Sequence, residues 1–572
     1  MRQTWRAWEE LPDSSGKSIA RASRHPRVGP LPAVLMSRHC LFSVAGGDGA
    51  EPGSGERLAT RQTAAVVEYE MQRRLVEEAA TLEQLAGKMR EAIRASVSAA
   101  LPMEHLEHLD QALGSAARDG SDLGGLLSKL GELGERSDLD LARVQRMART
   151  ARAIEEARWQ IVEGMQGTGR ARYGLVVAGA SAADWAARFP RNPFGVPLTV
   201  DLAGNGADLA IGLLRGLLAE RVAEARLIRG AELLLEGPAD LPARERALEA
   251  STWRDLTSEE LSLCPPILVL GGTDGLAGEE LAGLSRLLSC GLPVKVVLLD
   301  GCELPVRGAD PVLLALAHRD AFVLSGSVAH PDHLFEGVTA ALRFSGPALV
   351  SIHAPRPGLH RFAEDATVER ARLAVSARVH PLLRYDPQAQ GAFGTRLSLE
   401  GNPEPERPWA AGEEGPMLTP AHWAAGEGRF EGRFADPGEA GVTPIEKYLE
   451  FSSDARGSTI PTVPGPNGRS LAVGETLFSA VEERAAHWRT LQELSGLVTP
   501  FTATVRRQAD EELRASHEAE VAALREEYEG KLEEQRKSQA AVQAARIRDR
   551  LMQLAGHGAV RARDEKGEGT QS

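Results

Sequence analysis

The chain has 572 residues, 42% hydrophobic and 26% charged, with a formal net charge of −14 at pH 7. That length exceeds what one core usually holds, so two or three domains are expected, in a composition ordinary for a globular protein. The acidic balance argues against a nucleic-acid partner, which asks for a basic face, and without a run of about 18 apolar residues no membrane span is expected.

The four cysteines, Cys40, Cys264, Cys290 and Cys302, form no CxxC pair. A disulfide framework, a zinc knuckle and an iron–sulfur cluster held by this chain alone are therefore not expected, and the pattern suits a reducing cytoplasm. The polar, arginine-containing N-terminus lacks the apolar stretch of a secretory signal.

In chain order, residues 1–56 read as mostly irregular, with a strand-like LFSVA ending in GGDG at Gly46 to Gly49. Residues 57–165 are helical text, long Ala/Leu/Glu/Arg segments broken at Pro102 and near the glycines at 120–125 and 131–134. From 170 to 400 short apolar runs alternate with helical patterns. Strands are expected at Tyr173 to Gly179, Leu198 to Leu202, Ile267 to Leu270, Val294 to Leu299, Ala321 to Val328 and Leu349 to His353. Helices are expected at Ser181 to Arg188, Ala207 to about Arg229, and Pro331 to Phe344. That alternation predicts an α/β fold on a mostly parallel sheet. Residues 401–474, rich in Gly, Pro and Glu, read as an irregular covering segment or linker. Residues 475–556 read as helical, with Val521, Leu524, Tyr528 and Leu532 at helical spacing in a charged, coiled-coil-like helix. Residues 557–572 read as a disordered tail.

The stretch from Pro266 to Asp300 organises the rest. It reads as strand, glycine turn, helix and strand, a right-handed crossover whose loop lies where open α/β sheets bind ligands. Gly271-Gly272-Thr273-Asp274-Gly275 lets the backbone turn sharply and offers N–H groups to a diphosphate at a helix N-terminus. Asp274 supplies a hard oxygen for Mg²⁺. The plain alternative is a tight turn whose helix is capped by Thr273 or Asp274. Other phosphate motifs fail: Gly272, Gly275 and Gly278 are not spaced as GxGxxG, and SGKS at Ser15 to Ser18 has Leu11 where a P-loop needs glycine. His105 and His108 read as a solvated helix surface. His330, His333, His353 and His360 fall at or after the carboxyl ends of expected strands, and one of them could line a pocket.

From about Pro265 to Pro387 the text resembles the thiamine-diphosphate-binding domain of pyruvate:ferredoxin oxidoreductases and related 2-oxoacid:acceptor oxidoreductases. VLGGTDGLAGEELAGLSRLLSCGLPVKVVLLDGCEL is similar to that family's diphosphate motif, helix and next strand. DPVLLALAHRDAFVLSGSVAHPDHLFEGVTAALRFSGPALVSIHAP, ARLAVSARVHPLLRYDP and, more loosely, HWAAGEGRFEGRF follow in the family's order.

The resemblance implies thiamine diphosphate held through Mg²⁺, with Gly271, Gly272, Asp274 and Gly275 as cofactor-binding residues and Asp274 as a metal ligand. The family's second ligand, an Asn, should fall near Val306. This segment reads GCELPVRGADP instead, and the next Asn is Asn402. Glu303 or Asp310 is the expected substitute, with Glu303 preferred. The implied reaction is oxidative decarboxylation of a 2-keto acid, with electrons passing to a ferredoxin-like iron–sulfur partner. A partner subunit or domain would supply the aminopyrimidine side of the site, so an oligomer is expected. Against this stands a diverged, non-catalytic scaffold of the same fold, and third an unrelated α/β nucleotide binder.

Overall fold

The computed structural model describes residues 12–37, 40, 49–100, 140–165, 167, 169–186, 194–304, 310–411, 417–438, 441–451, 456, 459–465, 468–499 and 501–555. Val306, His105, His108, most of the first GGDG and the C-terminal 556–572 lie outside them. The chain forms two units, residues 1–497 and 498–572.

The first unit is built on an eight-stranded sheet. Its strands are β1 (Gly174–Ala178), β2 (Leu198–Asp201), β3 (Ile267–Gly272), β4 (Lys295–Asp300), β5 (Phe322–Ser327), β6 (Ala348–His353), β7 (Leu383–Tyr385) and β8 (Leu397–Ser398). They lie in the order β2-β1-β3-β4-β6-β5-β7-β8. β1 to β6 pair in parallel, while β7 and β8 add an antiparallel edge. The protein is thus α/β with a mostly parallel sheet, as its alternating text predicts.

Helices cover both faces. The helices, some on the sheet and some on one another, include α1 (Gly55–Ala100), α2 (Leu141–Val162), α3 (Ala180–Ala186), α4 (Gly206–Glu236), α5 (Leu281–Ser289), α6 (Pro311–His318), α7 (Pro331–Arg343), α8 (Thr367–Ser376), α9 (Pro420–Ala424) and α10 (Glu475–Leu494). β3 and β5 are buried at every position, which is why they read as unbroken apolar runs and not as alternating ones. Odd and even strand positions feed two cores. Leu268, Leu270, Val297 and Leu324 face Val67 and Met71 of α1 and Val338 of α7. Val269, Val296, Leu298 and Val323 face Leu214 and Leu218 of α4 and Leu284 and Leu288 of α5.

α1 is joined to the sheet. Gly55 N–H donates to Pro355 O at 2.9 Å, and a Cβ on Gly55 would lie 2.5 Å from that oxygen, so only glycine fits. Glu51 Oε2 accepts from Gly358 N at 2.9 Å, and Thr367 Oγ1 donates to Gly53 O at 2.6 Å.

The text read as irregular between 401 and 474 includes a small sheet of β9 (Phe434–Ala435), β10 (Val442–Pro444), β11 (Ile460–Pro464) and β12 (Ser470–Val473), ordered β9-β12-β11-β10. Trp423, Ile445, Val463 and Val473 join Ala374, Ala377 and Val481 in one core, so this segment is packed against the end of the main sheet. Its strands are too short, and too rich in Pro and Gly, to show alternation.

The second unit is the helix α11 (Thr502–Leu554), on which Leu524, Tyr528 and Leu532 are exposed. Among the described residues no helix is long and apolar enough to cross a membrane.

Candidate functional site

The chain runs from β1 outward to β2, then returns to the other side of β1 for β3. Such a reversal leaves a crevice at the carboxyl ends of β1 and β3. The glycine turn after β3 sits there. Gly275 packs against Gly179, whose φ is +85°, and a Cβ on Gly271 would lie 2.7 Å from Ala178 O. The turn continues as a single π-helical turn, Gly275–Glu279, before α5 begins at Leu281. Asp274 makes no capping hydrogen bond to it. Its Oδ1 instead accepts from Ser181 Oγ at 3.0 Å, and this is its one side-chain hydrogen bond among the described residues. The capping role open to Asp274 in the sequence is therefore corrected. A π turn of this kind, inserted in a helix, is a common mark of a ligand site.

β3 and β4 are in register, with Gly272 beside Leu299. Asp274 and the residues after Asp300 thus emerge from adjacent strand ends. They wall a cavity of about 420 Å³ that Thr273, Asp274, Asp300, Cys302, Glu303 and Asp310 line from this side. Ser325, His380, Arg484 and His487 line it from the other.

Of the candidates read from the sequence, Asp274 and Glu303 face this cavity and both are exposed. Gly271 and Gly272 are buried under the turn. Asp310 caps α6: its Oδ1 accepts from Val312 N at 2.8 Å and Leu313 N at 3.0 Å, and its Oδ2 lies 3.7 Å from His487 Nδ1. It is therefore engaged, leaving Glu303 as the freer oxygen donor. Ser15 of the SGKS text accepts from Ser18 N as an ordinary helix cap.

The cavity wall holds a polar cluster that the sequence does not announce. Asp300 at the end of β4 is paired in register with His353 at the end of β6. Ser325 on β5 is paired with Leu383 on β7, which brings His380 over the same spot. Cys302 Sγ lies 3.2 Å from His353 Nδ1, 3.5 Å from His380 Nδ1 and 3.4 Å from Asp300 Oδ2. His380 Nδ1 lies 3.1 Å from Asp300 Oδ2, and its Nε2 lies 3.1 Å from Ser325 Oγ.

Burial opposes charge on Asp300, yet the His380 hydrogen bond and charge hold its carboxyl well below the usual range. Burial and the Asp300 carboxylate together push the Cys302 thiol far up. Burial, then His380, pulls His353 down to about 3. His360, buried beside Arg429, is pulled down to about 2. His330 and His333 are also lowered by burial but do not line this cavity.

No protein-family model matches the chain. Over 13% of its length it is 33% identical to ketoisovalerate oxidoreductase subunit VorB of Pyrococcus furiosus, covering 24% of that protein. It is 32% identical to pyruvate synthase subunit PorB of Thermotoga maritima over a similar stretch, covering 23% of it. With PorB of Pyrococcus horikoshii it shares 25% identity over a quarter of this chain and 52% of that one. The chain thus spans between about a quarter and a half of the curated relatives it matches. Among solved structures, 2-oxoglutarate:ferredoxin oxidoreductase from Magnetococcus marinus matches 35% of this chain and 59% of its own, at 12% identity and a TM-score of 0.21. The sequence resemblance stated above and the curated relatives agree: part of the chain is similar to 2-oxoacid oxidoreductase subunits, in diverged form.

Proposed function

We propose that this chain contributes the diphosphate-and-metal side of a thiamine diphosphate site within a 2-oxoacid:ferredoxin oxidoreductase-like assembly. The observation that supports it is the glycine turn, Gly271 to Gly275, placed at the sheet's reversal point with Asp274 facing the 420 Å³ cavity. The donor chemistry fits the group. The cavity carries four carboxylates: Asp300 is bonded to His380, Asp310 caps α6, and Asp274 accepts one hydrogen bond from Ser181. A bare diphosphate would be repelled there, whereas Asp274 and Glu303 would hold Mg²⁺, which prefers hard oxygens and would offset that repulsion. When bound, the cofactor supplies the electron sink for decarboxylating a 2-keto acid.

The residues of this chain hold and orient. Gly272 and Gly275 shape the turn that presents Thr273 and Asp274 to the cavity, where the diphosphate would sit; Ser181 fixes the Asp274 carboxylate, and Arg484 offsets negative charge across the cavity. The aminopyrimidine side and the iron–sulfur electron acceptor come from partner chains in this reading, in the cytoplasm.

A second reading, a non-catalytic scaffold of the same fold, is favoured by one observation: Asp310, one of two substitutes for the missing asparagine, is committed to capping α6. Calorimetry separates the two. The purified chain, alone and with its aminopyrimidine-side partner, is titrated with thiamine diphosphate and Mg²⁺. Saturable heat that Asp274→Ala abolishes is expected. A folded chain with no heat in either setting, up to millimolar ligand, refutes the cofactor role and leaves the scaffold.

A further inference from the structure

The Cys302 cluster has the dimensions of a metal site. Bonds of 2.0–2.3 Å to a tetrahedral metal set neighbouring donors about 3.3–3.8 Å apart. The separations from Cys302 Sγ to His353 Nδ1, His380 Nδ1 and Asp300 Oδ2 are 3.2, 3.5 and 3.4 Å, and His380 Nδ1 to Asp300 Oδ2 is 3.1 Å. The thiol and both imidazoles offer donor atoms all within 4.8 Å of one another, on residues that are all buried.

We propose that Cys302, His353 and His380, with Asp300 as fourth donor, form a zinc-type metal site independent of Asp274 and Glu303. One sulfur, two imidazole nitrogens and a carboxylate oxygen suit zinc and not Mg²⁺. The charges balance: a divalent cation neutralises one thiolate and one carboxylate, which a buried site requires. The cation also reverses the local penalty on the thiolate.

The surroundings hold the donors in place. Cys302 adopts φ +51°, a left-handed conformation that a non-glycine residue keeps only when its neighbours enforce it. Asp300 Oδ1 accepts from Cys302 N at 2.8 Å, and Arg429 donates to Gly301 O at 2.9 Å and Cys302 O at 2.8 Å. The non-ligating nitrogen of His380 meets Ser325 Oγ, whose proton goes to Pro381 O at 2.7 Å; ligating histidines are commonly oriented by such contacts. His353 is the weaker ligand. Its Nδ1 also contacts Asp300 O at 3.1 Å, and ligation there moves its proton to Nε2, which has no partner among the described residues. Three donors converge, and Asp300 Oδ2, beside Cys302 and His380, would close the fourth position, which makes the proposed metal structural. It ties the ends of β4 and β6 to the turn before β7, and so fixes the wall of the cavity.

The test uses the full chain, stripped with chelator and titrated with Co²⁺ as the zinc probe. One equivalent per chain is expected, with a thiolate-to-cobalt charge-transfer band and tetrahedral d–d bands. Cys302→Ser removes the charge-transfer band. Ser325→Ala keeps all four donors and weakens affinity by about 10-fold or more. Asp274→Ala leaves the cobalt spectrum unchanged, which separates this site from the proposed cofactor site. Should Cys302→Ser fail to fold, alkylation of Cys302 in the wild type is followed by peptide mass, and bound metal is expected to protect it. Folded wild type without a stoichiometric thiolate–cobalt band, a band that survives Cys302→Ser, or alkylation indifferent to metal overturns the proposal.

Discussion

Lys295 opens β4 with a buried side chain, and Lys295→Met isolates what its charge does to stability. Its Nζ donates to Phe344 O at 2.8 Å and Gly346 O at 2.9 Å and lies 5.7 Å from the Phe344 ring centre. Burial pulls its pKa from 10.5 down to about 7. In the window between these values the unfolded chain binds one proton more than the folded chain. Unfolding free energy therefore rises with pH there, by about 1.4 kcal/mol per unit and about 5 kcal/mol across the window. Below pH 7 the penalty is full and constant; above 10.5 it is gone. Methionine keeps the apolar stem and removes the charge. It leaves two carbonyls short of a donor, a loss of about 1–3 kcal/mol each that does not depend on pH. The measurement is urea unfolding of wild type and Lys295→Met at a series of pH values, by tryptophan fluorescence with circular dichroism as a check on coincidence. The stability of wild type relative to the variant is expected to climb by several kcal/mol from pH 7 towards 10.5. A difference that stays flat across that range refutes the reasoning.

Gly272→Ala places a Cβ 2.5 Å from Asp274 Oδ1 and 3.0 Å from Ser181 Oγ. The exposed Asp274 side chain gives way, so melting changes by only about 1 kcal/mol while Mg²⁺-dependent cofactor binding in calorimetry is lost. Gly337→Ala on α7 meets Leu324 Cδ1 at 2.3 Å. A glycine-to-alanine change inside a helix ordinarily gains about 1 kcal/mol, but overpacking of about 1–3 kcal/mol reverses the sign, and thermal unfolding should show a lower midpoint. Arg378→Ala removes hydrogen bonds to Pro403 O (2.6 Å) and Glu404 O (2.9 Å) and a guanidinium 4.1 Å above Trp488. The expected cost is about 3 kcal/mol in urea unfolding.

The central crossover was legible because its signals are local. Ile267 to Leu270 is an apolar run, and Leu281, Leu284 and Leu288 share a helical face, so periodicity alone places β3 and α5. The π turn between them was not legible, because nothing in GLAGE separates it from α-helix. The antiparallel β7–β8 edge leaves no signal either: its strands have three residues and two, too few to show a period. The Cys302 cluster depends on register. His353 reads as a strand-end histidine, but His380 lies 78 positions from Cys302, and only the pairing of β5 with β7 brings it near. The text prefers Glu303 to Asp310 without giving a physical reason; the cap on α6 engages Asp310.

The seam between α1 and the exit of β6 joins residues more than 300 positions apart: Glu51 meets Gly358 across 307 positions and Gly53 meets Thr367 across 314. At about 5–20 residues per second of synthesis, the leading segment waits roughly 15–60 s on the ribosome before its counterpart emerges. During that interval the apolar face of α1, with Val66, Val67 and Met71, has no sheet to cover. Closure of the sheet on α1 therefore waits for the second half of synthesis, and nascent chains halted before Thr367 should be those that molecular chaperones retain.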